Sequence, residues 1–410
     1  MNIPRYFYYI THIDNLKSIL KNGILSHSQI KDENSLLVKL GLANRIKSIH
    51  SEDIVQRRKN KIFNNKPLWS YVNLYFQPRN PMLYVVTKNF QVKNIVVLQI
   101  NSDVINSDDV SITDGNAASN DTHYFTDIKQ GLATLTQEQF NKEYWNDSDD
   151  AKRKIMAELL VHDRISPDKI IGIFVANEEI AKTIRQNITI GALNIIPDSK
   201  MFFLPERQKR ISDYITLAKG DMFFSKMQTF TVSVNTVGIM GKGLASRAKY
   251  QFPDVYVHYQ DLCRQKKLRM GVPFLYKRKE DFERSLSEET QPLVTENGNR
   301  WFLMFPTKNH WKTNSPIDGI EKGLQWLLDN YRDLGIKSIA LPSLGCGLGG
   351  LDWKDVGPLM CKYLNQMNIQ SCIYLPTERQ VPPEYLEPQF LLNEKQTRIN
   401  NSACSNSLSD

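Results

Sequence analysis

In the second half of the chain a strand-like run empties into glycine: "SIALPSL" at 338–344 is followed by "GCGLGG" at 345–350, four glycines in six residues, and then by a helical pattern opening at "LDW". The same arrangement occurs upstream, where "TFTVSVN" (229–235) leads into "TVGIMGKG" (236–243) and a further helical run. Glycine permits positive φ and lets backbone N–H groups approach an oxyanion, while the helix that follows offers its positive end. A single loop of this kind is equally a tight turn with no ligand. Two of them, each after a strand and before a helix, point to a diphosphate gripped from both sides. Around them, "KGLASRAKYQFPDVYVHYQDLCRQKK" (242–267) is helical with a proline break and "RWFLMFPTK" (300–308) is a strand. "SPIDGIEKGLQWLLDNYRDLG" (315–335) reads as a helix capped at Ser315 and closed by Gly335, and "QSCIYLPT" (370–377) as a last strand. Such alternation predicts an α/β sheet with helices on both faces. Ligands of such sheets sit beyond the strands' carboxyl ends, where both glycine loops lie.

At 410 residues the chain exceeds one core and divides into two domains of roughly 200 residues each. The proline-bearing, charged stretch "NIIPDSKMFFLPERQKR" (194–210) is the expected junction: a first domain over 1–200, a linker over 201–210, a second domain over 211–380 and a polar, loosely held tail over 381–410. No run approaches the ~18 apolar residues of a membrane span, and "MNIPRYFYYI" lacks the plan of a signal peptide. Cys263, Cys346, Cys361, Cys372 and Cys404 all lie in the second half without a CxxC pair. They read as reduced thiols of a cytoplasmic protein, with neither a disulfide frame nor a metal site. Charge is segregated: between Arg45 and Lys93 ten Lys/Arg face two acids, and between Asn101 and Asp150 eleven acids face two lysines. The basic window suits a polyanion or a solvated face.

The motifs "GD" (Gly220, Asp221), "VNTVGIMGKGLA" (234–245), "FPTKNHW" (305–311) and "LGCGLGGLDW" (344–353) together resemble a macrodomain, an α/β/α three-layer module that binds ADP-ribose. The resemblance is nearest to the branch of DarG antitoxins and terminal ADP-ribose glycohydrolases and spans about residues 211–377. It implies that Asp221 accepts from the adenine amino group and that Asn235 contacts the distal ribose. Gly238, Gly241 and Gly243 with Gly345, Gly347 and Gly349 would form the phosphate-facing loops. Lys308 would attack or activate C1″ of the ADP-ribosyl group, which requires an amine whose pKa is lowered by burial or a neighbouring cation. Related glycohydrolases also use an aspartate in the second glycine loop. That place here holds Gly349, so Lys308 is expected to act without that helper.

In the first half, "YYITHIDNLKSILKNGILSH" (8–27) is a short β-run and a helix that starts after Asp14 and ends at Gly23. "LWSYVNLYFQPRNPMLYVV" (68–86) reads as an aromatic-rich strand pair. "KRKIMAELLVHDRIS" (152–166) sets Glu158 in an apolar run, where a carboxylate is costly unless it is paired, faces a site or points to solvent. With "VQRRKNK" (55–61) and "ITDGNAAS" (112–119), these segments resemble DarT, a bacterial DNA ADP-ribosyltransferase toxin, over about residues 5–190. The resemblance implies an α+β ADP-ribosyltransferase fold, a split mixed β-sheet with NAD as co-substrate in its cleft. Thr11, His12, Asn15 and Gly23 would line the nicotinamide end, Arg58 would hold NAD or the deprotonating base, and Glu158 would be the catalytic glutamate. Tyr9 stands where some relatives carry histidine. A fixed carboxylate suits this chemistry, because breaking the nicotinamide–ribose bond develops an oxocarbenium cation.

The basic window surrounds Arg58 and carries Trp69, Tyr71, Tyr75 and Phe76, which could stack on bases or belong to the core. The loop from Asp114 to Asp127 is the expected acceptor reader, and an enzyme acting on a base edge needs that base unstacked. The expectation is therefore a fused toxin–antitoxin whose first domain marks a base of single-stranded DNA, thymine before guanine, and whose macrodomain removes the mark. Contact between the two domains within one chain would follow from the fusion. Two alternatives stay open at the level of sequence: a macrodomain that only reads ADP-ribose, and a transferase that acts on RNA or protein.

Overall fold

A computed structural model describes residues 2–31, 46–145, 149–281, 299–376 and 379–392. The chain divides into two compact units between Phe203 and Leu204.

The described residues of the first unit build an eight-stranded sheet from β1 (Tyr6–His12), β2 (Tyr71–Tyr75), β3 (Ile95–Asn101), β4 (Val110–Thr113), β5 (Tyr124–Phe125), β6 (Glu158–His162), β7 (Ile170–Val175) and β8 (Asn194–Pro197). Their spatial order is β8-β7-β3-β1-β2-β6-β4-β5, and only β7 and β8 run parallel. The sheet is split. β1 pairs with β3 along seven residues but meets β2 at the single register Tyr8↔Tyr75. On the far side of that junction Tyr75 pairs with Glu158, so the glutamate opens β6 at the level where the two half-sheets part. The apolar run of β3 reflects its central place, with Ile95, Val96, Val97, Leu98 and Ile100 all buried.

Helices α1 (Leu16–Asn22) and α2 (Glu52–Asn60) follow; α1 is closed by Gly23 at φ +85°, and α2 carries Arg58 on its buried side. One expectation is corrected here. Residues 68–86 are not a strand pair: β2 is followed by helix α3 (Pro81–Asn89), with Pro81 in its first turn and Asn80 Oδ1 accepting from the Leu83 N–H. Proline preset at a helix start and an asparagine cap outweigh the β-branched and aromatic content.

In the second unit the described residues form a seven-stranded sheet from β9 (Arg207–Arg210), β10 (Ile215–Lys219), β11 (Thr229–Asn235), β12 (Phe274–Asp281), β13 (Asn299–Lys308), β14 (Ser338–Pro342) and β15 (Gln370–Tyr374), in the order β9-β10-β15-β14-β11-β13-β12. The five inner strands are parallel and the two edges antiparallel. Side chains alternate along β13. Leu303 and Phe305 enter a core with α6 (Ile317–Leu334) and α7 (Trp353–Met367), while the Phe302 ring lies 4.6 Å from Phe252, between α4 (Gly243–Gln251) and α5 (Pro253–Arg264). Both faces are therefore covered, and the unit is a three-layer α/β/α fold.

Three boundaries differ from expectation. The end of the expected linker is strand β9, paired with β10 along four residues. Helix α6 has Pro316, not Ser315, at its cap, because Ser315 turns to the second glycine loop instead. Part of the expected polar tail packs: Leu391 is buried, and Trp353 donates from Nε1 to the Tyr385 carbonyl at 3.0 Å. Residues 393–410 of that tail lie outside the described residues.

Candidate active sites

The first site is built where β6 opens beside the split. Glu158 is fully buried and Arg58 is 4 % exposed. The Arg58 Nη1 donates to Glu158 Oε2 at 3.1 Å and reaches Oε1 at 3.4 Å, and the Ala117 N–H donates to Oε1 at 3.0 Å. Burial works against the Arg58 charge, and the facing Glu158 carboxylate together with Tyr75 and Tyr124 offsets it, so the guanidinium sits above its ordinary value. The glutamate backbone is fixed as well, its N–H donating to Thr113 Oγ1 at 2.9 Å. The expectation that Glu158 is paired or faces a site, and does not point to solvent, holds.

Arg58 Nε and Nη2 are buried without a partner among the described residues. Two orphaned donors beside a committed third are a place for an acceptor-rich ligand, which fits a dinucleotide at this cleft. The loop expected to read the acceptor is held over the pair. Lys61 Nζ donates to the carbonyls of Ala117 (3.0 Å) and Ser119 (2.5 Å), and the Tyr124 hydroxyl donates to the Ala117 carbonyl (2.5 Å). Burial lowers the Lys61 pKa against the pull of Glu158. The same loop is braced at its base by Asp114, which accepts from Arg153 Nη1 at 2.6 Å and meets His123 Nδ1 at 2.9 Å. Beside Arg58 the rings of His27 and His50 meet at 5.1 Å. Burial, then the Arg58 charge, lowers His27 to about 4; burial, then His27, holds His50 well below its usual range, so both are neutral at neutral pH. Burial likewise pushes Tyr9 up to about 12.

Thr11, His12 and Asn15 gather at the end of β1. Asn15 Nδ2 donates to Thr11 Oγ1 (3.1 Å) and the Lys47 carbonyl (2.8 Å), and His12 Nδ1 accepts from the Asp14 N–H. Gly23 has a packing reason of its own, since a Cβ there would lie 2.2 Å from the Ile165 carbonyl oxygen. The aromatics of the basic window are core: Trp69, Tyr71, Tyr75 and Phe76 are all at most 7 % exposed. Stacking on bases by those four is thereby corrected. His27, His50, Lys61, Thr113 and Tyr124 were not singled out from sequence, because each gains its meaning only from a distant partner.

In the second unit both glycine loops lie at the carboxyl ends of parallel strands, β11 and β14. The first loop is shaped by Asn235, whose side chain is spent internally. Its Nδ2 donates to the Ile239 carbonyl (2.6 Å), and its Oδ1 accepts from the Val237 N–H (3.0 Å) and the Tyr259 hydroxyl (2.9 Å). Gly238 takes φ +82° in this loop, while Gly241 and Gly243 are exposed at its end. In the second loop, Gly347 is half-buried and Gly345 and Gly349 are buried; a Cβ on Gly349 would meet the Gly345 carbonyl at 2.4 Å and Ser315 Oγ at 2.5 Å. An aspartate could not stand at Gly349 in this backbone. The loops approach one another, with Leu348 Cδ1 at 3.6 Å from where a Cβ of Gly243 would be.

Lys308 ends β13, in register with Asn235, and its Nζ donates to the Leu348 carbonyl of the second loop at 2.8 Å. Desolvation lowers its pKa, as an amine nucleophile or base requires. Asp221 follows β10. Its Oδ1 accepts from the Phe223 N–H (3.0 Å) and its Oδ2 pairs with Arg247 Nη2 (2.6 Å). Arg247, Tyr259 and Ser315 are the residues of this site that sequence reasoning missed. Among the described residues no group of three or more His, Cys, Asp or Glu could hold a metal ion, and no helix is long and apolar enough to cross a membrane.

A buried Arg–Glu pair at the mouth of a split mixed sheet and two glycine loops flanking a desolvated lysine define a transferase unit and a macrodomain on one chain. Residues 8–203 match the family model described as ssDNA thymidine ADP-ribosyltransferase, DarT, and residues 295–360 match the Macro domain. Over 396 residues the chain is 47% identical to the DNA ADP-ribosyl transferase-DNA ADP-ribosyl glycohydrolase fusion protein of Thermosipho africanus (strain H17ap60334), covering 95% of this chain and 99% of that one. The solved structure of Thermosipho africanus DarTG in complex with ADP-ribose aligns with a TM-score of 0.84 at 46% identity, over 95% of this chain and 100% of the other. The second unit is also 32% identical over 164 residues to the DNA ADP-ribosyl glycohydrolase of Mycobacterium tuberculosis (strain ATCC 25618 / H37Rv), covering 40% of this chain and 42% of that protein. The chain belongs to the family of DarT–DarG fusion proteins, in which a DNA ADP-ribosyltransferase is joined to a DNA ADP-ribosyl glycohydrolase macrodomain.

Proposed function

We propose that the first unit transfers ADP-ribose from NAD to a ring nitrogen of thymine in single-stranded DNA, and that the macrodomain of the same chain hydrolyses the bond so formed. The observation that carries the writer is the Glu158–Arg58 pair, a carboxylate with no solvent exposure held by a guanidinium and by the Ala117 N–H. As the C1″–nicotinamide bond breaks, nicotinamide leaves with the bonding pair and positive charge develops on the ribose, where the carboxylate stabilises it. The acceptor nitrogen then bonds to C1″ and gives up its proton to Glu158 or solvent. Arg58 Nε and Nη2, without partners among the described residues, hold polar groups of NAD, with Thr11, His12 and Asn15 toward the nicotinamide end and Gly23 fixing the turn behind them.

In the eraser, Asp221 receives adenine and the N–H groups of the Gly238–Gly243 and Gly345–Gly349 segments take the diphosphate. Asn235 supports the distal ribose through the loop it holds together. The Lys308 amine attacks C1″ or activates the water that does. The C1″–base bond breaks, a water oxygen ends on C1″ and the base regains its proton. Hydrolysis is favoured over mere reading of ADP-ribose by the partly buried Lys308 amine, held between the end of β13 and the second glycine loop by the Leu348 carbonyl. The domains are proposed as 1–203 for the writer and 204–392 for the eraser. A cytoplasmic location is proposed from Cys263, Cys346, Cys361 and Cys372, all free thiols.

The test of the acceptor is intact-mass analysis of oligonucleotides lacking one base each, incubated with NAD and the Lys308→Ala chain. Adducts on every strand except the thymine-free one support the reading. Adducts that vanish only without guanine overturn the choice of base, and adducts confined to RNA or protein overturn DNA.

A further inference from the structure

We propose that Trp311, with His310 and Lys312, is a stacking platform on which the eraser seats the nucleotides flanking the modified base. The inference rests on the DNA glycohydrolase reading above and names the part of the substrate that the ADP-ribose site cannot hold.

Nine large apolar side chains are exposed among the described residues, and four of them, Val237, Ile239, Trp311 and Leu348, lie on the loop segments around Lys308. Single exposed apolar residues are ordinary, whereas a group at the rim of a site marks a binding surface. Trp311 is the largest of the four and is 49 % exposed. Its place is fixed. Lys308 Nζ ties the end of β13 to the second glycine loop through the Leu348 carbonyl, and the Asn309 carbonyl accepts from the N–H (3.3 Å) and hydroxyl (2.9 Å) of Thr236 in the first. The chain then turns tightly, with the Thr313 N–H donating to the His310 carbonyl at 3.1 Å and the Lys312 N–H to His310 Nδ1 at 3.3 Å. The indole therefore stands on a turn anchored to both phosphate loops, three residues from the proposed catalytic amine.

The chemistry of this turn suits a single-stranded polyanion with exposed bases. The His310 ring stacks against one side of Trp311 at 5.4 Å and 28°, and the Lys312 ammonium lies 5.0 Å from the indole centroid. An aromatic face with an adjacent ammonium offers stacking to any base and attraction to a neighbouring phosphate. ADP-ribose needs neither, because its adenine and diphosphate are served by Asp221 and the glycine loops.

The experiment compares two substrates made from one adduct: an ADP-ribosylated single-stranded oligonucleotide, and the same adduct trimmed by nuclease to a single nucleoside. This construction does not depend on which base carries the mark. Base–aromatic stacking of ~1–3 kcal/mol corresponds to about 5- to 150-fold in affinity. Trp311→Ala is expected to raise KM for the oligonucleotide by about tenfold or more with kcat retained, while KM for the nucleoside moves by less than about twofold. Trp311→Phe restores most of the loss, and Lys312→Gln flattens the salt dependence of the oligonucleotide KM by about 0.7 in log–log slope. Equal losses on both substrates, or weakened binding of free ADP-ribose by calorimetry, would overturn the proposal in favour of a role in shaping the loops. Unchanged KM on both would overturn it outright. A wild-type chain that cleaves neither adduct while still binding ADP-ribose would instead remove the glycohydrolase reading itself, and the platform with it.

Discussion

Replacing Glu158 by alanine removes more than a catalytic group, because the carboxylate is the counter-charge of a buried cation. Arg58 is 4 % exposed, its Nε and Nη2 lack partners among the described residues, and its Nη1 contacts Glu158 at 3.1 and 3.4 Å. Glu158→Ala therefore strands a guanidinium in the core, and it also frees the Ala117 N–H. Breaking one side of a buried pair costs ~3–5 kcal/mol. At ~2–4 °C per kcal/mol for a unit of this size, the melting transition of the first unit should fall by about 6–20 °C. The double variant Arg58→Met, Glu158→Ala removes the stranded charge and should recover more than half of the loss, although both variants lack transferase activity. Scanning calorimetry of the full chain, with the transition of the second unit as internal reference, reads both numbers. A Glu158→Ala chain that melts within about 2 °C of wild type, or a double variant less stable than the single, would refute a buried Arg58–Glu158 pair as the keystone of the cleft.

Further outcomes follow from the two sites. Desolvation lowers the Lys308 pKa, and the neutral amine is the reactive form, so glycohydrolase kcat should rise with pH to a plateau whose midpoint lies below the ordinary lysine range of about 10.4. A flat profile between pH 6 and 10 would count against the amine, and Lys308→Ala should lose at least about a hundredfold in kcat while still binding ADP-ribose. Gly349→Ala would press a methyl group to 2.4 Å from the Gly345 carbonyl; calorimetry should show weakened ADP-ribose binding and a second unit less stable by ~1–3 kcal/mol. Lys61→Met removes the ammonium that holds the Ala117 and Ser119 carbonyls, so transfer to DNA should slow about tenfold or more with NAD affinity nearly kept, as single-turnover and titration measurements can separate.

What could be read from the chain was local. The glycine loops, the break before Pro253 and the αL cap at Gly335 are written in consecutive residues, and each stands where expected. Glu158 was legible because an acid in "IMAELLV" is out of place without a reason, and the structure supplies Arg58, 100 residues away. That partner was reached only through the family resemblance, which has Arg58 hold NAD or the deprotonating base, since nothing local joins α2 to β6. Helix α3 escaped because residues 81–87 are all buried, which erases the helical period that distinguishes it from a strand. Strand β9 reads as a linker because an edge strand of four polar residues carries no apolar alternation. Asn235 was expected at the ribose, and its side chain also frames the first loop, a role that Tyr259 and the backbone of residues 237–239 reveal.

If one chain both writes and erases a mark on single-stranded DNA, a single time course will show both activities. A single-stranded, thymine-containing oligonucleotide is incubated with NAD and the Lys308→Ala chain, with Glu158→Ala as control, and then wild type and excess nicotinamide are added while intact mass is followed. The expected result is an adduct of one ADP-ribose unit that depends on Glu158 and disappears when wild type is added. NAD consumed without any adduct on DNA would contradict the writer, and an adduct that persists in the presence of wild type would contradict the eraser.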